Sequence, residues 1–205
     1  GLVAELWISR IRTAAFGTAL IEVLANPRPL VVALFGTEKV AIEIVPMLAR
    51  ALELRELRVS SRRPESTARF VSAHAENVSC EIRAEPDGVR MVDGADIVVT
   101  LTEADTPLVR PGMLKPGAVV CSMGGKNEIA YDVLSEVDRF IVDDIDFATE
   151  VGDGGAWIRQ GKLTFDEFSA RVDALACEVA GGVKRGRLTP EDRILAIVQG
   201  MAIGD

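Results

Sequence analysis

The 205-residue chain has one histidine, His74, and so lacks the residue on which zinc hydrolysis and Ser-His-Asp catalysis are normally built. Cysteine is scarce as well. Cys80, Cys121 and Cys177 are widely separated and fall in no metal-ligand spacing, so they are expected as buried thiols of a protein kept in a reducing cytosol. Basic residues fall short of acidic ones, 23 against 31, for a net charge of −8. That balance excludes nucleic acid or an anionic membrane as the main partner, since both demand basic faces, but it leaves room for a local basic pocket around a phosphate. No apolar run reaches the roughly 20 residues of a membrane span, and no signal-peptide pattern is present. What the chain does have is a 48% hydrophobic content and enough length for one full domain plus part of another, which fits a globular α/β core in the cytoplasm. It opens at Gly1 rather than methionine and already in helical pattern, as expected of a piece that a further N-terminal segment precedes.

Residues 2–24 read as one helix. Leu6, Ile8, Ile11, Ala15, Ala19, Leu20 and Leu24 recur at helical spacing, and Asn26-Pro27 stops it. From Pro29 the pattern alternates. Strands are predicted at 30–35, 56–60, 78–83, 96–101, 118–122 and 140–142, with helices at 38–52, 64–75, 86–92 and 128–136 between them. Short apolar strands separated by helices mean a parallel sheet covered on both faces, a doubly wound α/β fold of Rossmann type. Pro46 inside the first crossover helix predicts a kink or break there. After Asp144 the rhythm changes. Gly152-Asp153-Gly154-Gly155 reads as a loop, Thr164 with Glu167 as a capping box for a helix to about 179, and Thr189-Pro190-Glu191 as the cap of a last helix. Helices without intervening strands are expected to leave the sheet and pack with the first helix. The organisation is thus 1–27 as a helix of a second lobe, 28–150 as a dinucleotide-binding domain, and 151–205 as helices returning to that lobe.

The chemistry concentrates where the first strand ends. The apolar run 30–35 leads into Gly36-Thr37-Glu38-Lys39-Val40-Ala41 and a helix, the unit in which a diphosphate rests on N–H groups at a helix N-terminus. Gly36 begins the turn and Ala41 takes the third-glycine position. Glu38 replaces the middle glycine. Its carboxylate either swings outward and leaves the site open, weakens it by like charge, or simply complements the helix dipole. At the end of the second strand an NAD site usually carries an acid for the ribose 2′-hydroxyl. Here Ser60-Ser61 is followed by Arg62-Arg63, which favours the 2′-phosphate of NADP over NAD, against the plainer reading of two solvated arginines before the Pro64 helix. Asp143 and Asp144 end a strand where open sheets place ligands, and are equally placed to cap the next helix.

Further segments carry a family pattern. Arg12-Thr13-Ala14-Ala15, Gly36-Thr37, the strand from Asp96 to Thr100, Leu114-Lys115-Pro116-Gly117-Ala118 and Gly125-Lys126-Asn127-Glu128 occur in this order. Gly186-Arg187 and the closing Gly200-Met201-Ala202-Ile203-Gly204-Asp205 follow. Their order and spacing resemble the ornithine cyclodeaminase/μ-crystallin family across nearly the whole chain. The resemblance implies a homodimeric, nicotinamide-dependent protein acting on small amino acids or their imines. Its lobe for substrate and dimer contacts is built largely from an N-terminal segment. It also implies that Arg12 binds the substrate carboxylate, which a guanidinium can hold bidentately; from the residues alone Arg12 reads as a helix-surface ion pair. The loop from Cys121 to Lys126 is shorter than in cyclodeaminases, and their catalytic aspartate has no counterpart in it. Imine reduction or amino-acid oxidation by hydride transfer is therefore favoured over ornithine cyclisation, with a non-catalytic NADP-binding protein as the rival of another class. Lys126 reads either as a second catalytic group facing the nicotinamide or as a plain surface lysine. The expected cofactor contacts are Thr13, Gly36, Thr37, Glu38, Lys39, Val40, Ser61, Arg62, Arg63, Thr100, Leu101, Thr102, Ser122, Met123 and Gly124, and no metal site is expected.

Overall fold

The computed structural model describes residues 5–200; residues 2–4 of the expected first helix and 201–205 of the closing segment lie outside the described residues. Eight strands run in parallel in one sheet: β1 (Leu30–Phe35), β2 (Leu54–Ser60), β3 (Glu81–Ala84), β4 (Ile97–Thr100), β5 (Val119–Ser122), β6 (Arg139–Val142), β7 (Ala174–Leu175) and β8 (Ile194–Ile197). Their order is β3-β2-β1-β4-β5-β8-β6-β7. The chain winds outward from β1 to β3, then returns to place β4 on the other side of β1. The strand order therefore reverses between β1 and β4, which opens a crevice above their C-terminal ends.

Alternate residues of each strand enter different cores. On one face Val32, Leu34, Val99, Cys121 and Ala196 meet α1 (Glu5–Leu24), α2 (Lys39–Ala51), α3 (Pro64–His74) and α8 (Ala176–Ala180). On the other, Val31, Ala33, Val98, Val120 and Leu195 meet α4 (Gly88–Val92), a 3-10 turn (Tyr131–Ser135), α5 (Ile145–Glu150), α6 (Gly152–Arg159) and α7 (Phe165–Arg171). Burial on both faces is why β1, β4, β5 and β8 are continuous apolar runs rather than alternating ones. Helix α1 packs across α2 and α8. Its middle reaches the C-terminal edge of the sheet, where Met123 lies against Gly17, while Leu24 at its end lies at the opposite edge, bonded through its carbonyl to Arg187.

Several expectations are corrected. The region after Asp144 is not strand-free: β7 extends the sheet edge and β8 inserts between β5 and β6. The Thr189-Pro190-Glu191 segment caps no helix. Asp192 accepts hydrogen bonds from Leu188 N, Thr189 N and Thr189 Oγ1, closing a turn that aims the apolar run 194–197 into the sheet. Thr164 and Glu167 do form the capping box, but α7 ends at Arg171, because Asp173 is taken by Phe140 N and Arg139 of β6. Residues 152–155 are helical rather than a loop. Gly154 and Gly155 lie directly on Ala148 O and Glu150 O and serve close packing of α6 on α5, while Gly152, at φ +60°, lies against the Gln199 side chain. Residues 128–130 are extended, since Glu128 N and Ile129 N bond Asp153 instead of a helical carbonyl. Helix α2 runs unbroken past Pro46; the carbonyl that proline leaves unpaired belongs to Ile42, on the exposed side. All three thiols are free, but only Cys121 is buried; Cys80 is half-buried and Cys177 exposed. His74 is a core residue, stacked on Phe70 with Nδ1 on its carbonyl. Among the described residues no helix is long and apolar enough to cross a membrane.

Candidate functional site

The crevice begins at Gly36. Its φ is +114°, and a Cβ there would lie 2.5 Å from Leu101 O, so only glycine lets β1 turn into α2 this close to the end of β4. Beyond the turn the first N–H groups of α2 have no intrahelical acceptor. Glu38 is the N-cap residue, yet its side chain makes no capping bond and is exposed, so those amides are not covered by the departing residue of the motif. Thr37 and Val40 are half-buried beside it and Lys39 is exposed. One strand further out, Ser61 shares hydrogen bonds with Thr67 Oγ1 and Arg63 O, which fixes the turn at the N-terminus of α3. Arg62 and Arg63 stand exposed there.

On the other side of β1 the floor is polar and buried. Glu128 is fully enclosed; its Oε1 accepts from Thr102 N at 2.6 Å and from Thr102 Oγ1 at 2.5 Å. Gly124 rests directly on this carboxyl, where any side chain would collide. The other oxygen, Oε2, and the Thr100 hydroxyl that faces the same carboxyl are both buried without a well-formed hydrogen bond among the described residues. Beneath them Asp153 accepts from Ser122 Oγ (2.5 Å), Glu128 N (2.6 Å) and Ile129 N (2.8 Å). Burial pushes the Asp153 carboxyl up to about 7, with the Glu128 charge adding to it against the Ser122 and Ile129 bonds. Burial likewise raises Glu128. At the end of β6, burial also raises Asp143, although Gln199 N and Gly200 N both donate to its Oδ2. Cys121, enclosed beside this region, is pushed up to about 12 by burial and then by the Asp143 charge. Asp144 caps α5 through Phe147 N.

Helix α1 brings Arg12 to the same edge. Its guanidinium lies over Gly200, and Gln199 in turn bonds Gly124 O at 3.0 Å through Nε2. A continuous chain of contacts thus runs from Gly36 through Leu101, Thr102, Glu128, Gly124 and Gln199 to Gly200 and Arg12. Thr13 is turned away in part: its hydroxyl donates to Ser9 O within the helix. Lys126 does not join this line. Its Nζ pairs with Asp105 at 3.2 Å in an exposed hollow lined also by Asn127, Ala156, Arg159 and Gln160. Sequence reasoning gave no role to Asp153 or Gln199, and saw Glu128 only as part of a segment. The available signal for Asp153 was an acid among glycines in a stretch otherwise apolar enough to be core.

The match to known proteins follows this geometry. The ornithine cyclodeaminase/mu-crystallin family model covers residues 2–205. The chain belongs to that family. A Delta(1)-pyrroline-2-carboxylate/Delta(1)-piperideine-2-carboxylate reductase of Azospirillum brasilense is 30% identical over 193 residues, 82% of this chain and 61% of its own length. A Delta(1)-pyrroline-2-carboxylate reductase of Burkholderia ambifaria is likewise 30% identical, over 82% of this chain and 61% of its own. In fold, an archaeal alanine dehydrogenase dimer with bound NAD superposes with a TM-score of 0.86 at 23% identity, over 96% of this chain and 60% of that one. The chain spans less than two thirds of the length of the curated relatives it matches, 61–64% for several of them.

Proposed function

We propose that this chain is the dinucleotide-binding part of a cytoplasmic, homodimeric NAD(P)-dependent oxidoreductase that reduces small cyclic imines or oxidises a small amino acid. The observation that carries this reading is the line of contacts along the C-terminal edge, from the open Gly36 turn to Arg12, in a member of a family whose relatives include pyrroline-2-carboxylate reductases. The residues present fit a dinucleotide. Uncapped amides at α2 and a Cβ-free turn suit a diphosphate, and the exposed Arg62 and Arg63 suit a 2′-phosphate, which favours NADP while leaving NAD usable. When bound, the nicotinamide supplies or accepts the hydride.

The chain's own part is positioning. Arg12, lying over Gly200, would hold the substrate carboxylate, and the loops at 100–102 and 122–124 would line the nicotinamide end of the crevice. Helix α1 with α8 packed on it contributes to the substrate and dimer lobe, whereas α6 and α7, expected to leave the sheet, cover its other face instead. Lys126, paired on Asp105, acts as a surface residue rather than a catalytic one. The loop from Cys121 to Lys126 offers no carboxylate to serve as a cyclodeaminase base, and the acids below it are enclosed. The test is turnover: oxidation of NADPH or NADH with Delta(1)-pyrroline-2-carboxylate or its six-membered homologue, in parallel with ornithine. Coenzyme oxidation with the imines supports the reading. Ammonia and proline from ornithine without net coenzyme change indicate a cyclodeaminase, and binding without turnover indicates a crystallin-like binding protein.

A further inference from the structure

We propose that Glu128 and Asp153 form a proton-sharing pair that positions the two loops closing over the nicotinamide end of the crevice, so that loss of the shared proton loosens dinucleotide binding. The inference rests on the cofactor reading above. Its structural basis is the division of labour between the two carboxyls. Asp153 receives three donors, Ser122 Oγ, Glu128 N and Ile129 N, which is the coordination of an ionised carboxylate. Glu128 receives its two well-formed bonds on Oε1 alone, and its enclosed Oε2 has no well-formed bond, although the Thr100 hydroxyl and Gly124 N both face the carboxyl. A proton on Oε2 satisfies that atom and gives the facing Thr100 hydroxyl, itself without a partner, a donor. Two ionised carboxylates in one enclosed space would repel at low dielectric, and the single proton removes that cost.

Among the described residues, the groups bonded to the pair are hydroxyls and amides rather than neutralising cations. Thr100 and Thr102 come from the end of β4, Ser122 and Gly124 from β5, and the Gln199 amide from β8. The titratable neighbours on adjoining strands are Asp143 and Cys121. The cations of the flanking segments are directed elsewhere: Lys126 to Asp105, Arg159 to Glu150 O, and Arg12 over Gly200. The pair touches both loops at once. Glu128 holds Thr102 and supports Gly124, while Asp153 holds Ser122 and the backbone of Glu128 itself. Ionising both members strains the contact that keeps the loops in register. They are positioning residues, since neither faces the crevice.

The test uses the full chain, its Glu128→Gln and Asp153→Asn variants, and two readouts. Infrared spectra of the free protein near neutral pH should show a protonated carboxyl band that Glu128→Gln abolishes. Asp153→Asn, by removing the repelling charge, should shift loss of that band to lower pH. No such band in the wild type, or its survival in Glu128→Gln, overturns the shared proton. Dissociation constants for NADPH and NADH are then measured from pH 6 to 9. Wild-type binding should weaken at least fivefold toward pH 9 while Glu128→Gln, whose amide copies the protonated acid, stays level. An equal fall in both proteins, or a level profile in the wild type, overturns the positioning role. Absence of binding at every pH overturns the cofactor reading and the positioning role with it, whereas the infrared band still decides the proton.

Discussion

The two edges of the sheet handle buried charge in opposite ways. At the N-terminal edge Asp96 accepts Val31 N and pairs with Lys115 at 2.6 Å and Arg28 at 2.7 Å. Burial works against its ionised form, yet Lys115, Val31 N and Arg28 together hold its carboxyl below the ordinary range. Nearby, Arg187 donates to the carbonyls of Leu24, Gly117 and Asp192, tying α1, the start of β5 and the turn before β8 into one knot. At the C-terminal edge Glu128, Asp153 and Asp143 are held by hydroxyls and amides, and burial raises all three. One edge is neutralised and locked. The other carries charge that could change, on the side where the chain is open to a ligand. Fold stability and chemistry are therefore drawn from different ends of the same strands.

Removing Arg187 should give the largest effect. Arg187→Ala removes the side-chain donor from the carbonyls of Leu24, Gly117 and Asp192, at an expected cost of roughly 3–5 kcal/mol or loss of the folded protein. Urea unfolding checks it, and a cost under about 1 kcal/mol would deny that this edge is locked by the arginine.

The same substitution at the two edges should then move stability in opposite directions. Asp96→Asn leaves Lys115 and Arg28 without their charge partner and should cost about 2–3 kcal/mol at neutral pH, less below the folded titration range. The Glu128–Asp153 pair behaves inversely. The value of about 7 at Asp153 lies above the ordinary 3.8, so the folded chain holds the pair's one proton more tightly than the unfolded chain does. Its contribution is complete below 3.8 and is lost as pH rises toward 7. Asp153→Asn should flatten that slope and equal or exceed the wild type at pH 8, by up to a few kcal/mol. Unfolding free energies across pH decide it; a wild type whose stability rises over this window would erase the contrast.

The sequence was readable where local chemistry and tertiary role coincide. Strand β1, the Gly36 turn, α2 and the Thr164–Glu167 capping box all follow from patterns a few residues long. It misled where a short motif has two physical uses. Four apolar residues at 194–197 suit a buried strand as well as a helix, and only the vacancy between β5 and β6 selects the strand. Glycines at 152–155 suit a loop as well as a close helix contact. The buried pair was out of reach for a different reason: Glu128 and Asp153 are 25 residues apart, and their meeting depends on β5, the 3-10 turn, β6 and α5 all being in place.

Within the crevice, Gly36→Ala should come next. A side chain at φ +114° meets Leu101 O, so about 1–3 kcal/mol of strain is expected, together with dinucleotide binding weakened at least tenfold. Nucleotide titration beside thermal unfolding separates the two. Lost stability with unchanged binding would move the phosphate turn away from β1.

The smallest effect belongs to the basic pair at the end of β2. Arg62 and Arg63 are exposed, so their attraction for a phosphate is screened and worth about 1 kcal/mol together at moderate salt. Replacing both by alanine should weaken NADPH several-fold while leaving NADH and the unfolding midpoint unchanged, because neither side chain holds the turn; Ser61 does so through Thr67 Oγ1 and Arg63 O. The NADPH loss should shrink as salt is raised, as a screened contact requires. Equal weakening of both coenzymes would mean that the arginines act on the shared diphosphate. Tighter NADH than NADPH binding in the wild type would mean that this end of the sheet reads the ribose without a phosphate, through Ser60 and Ser61.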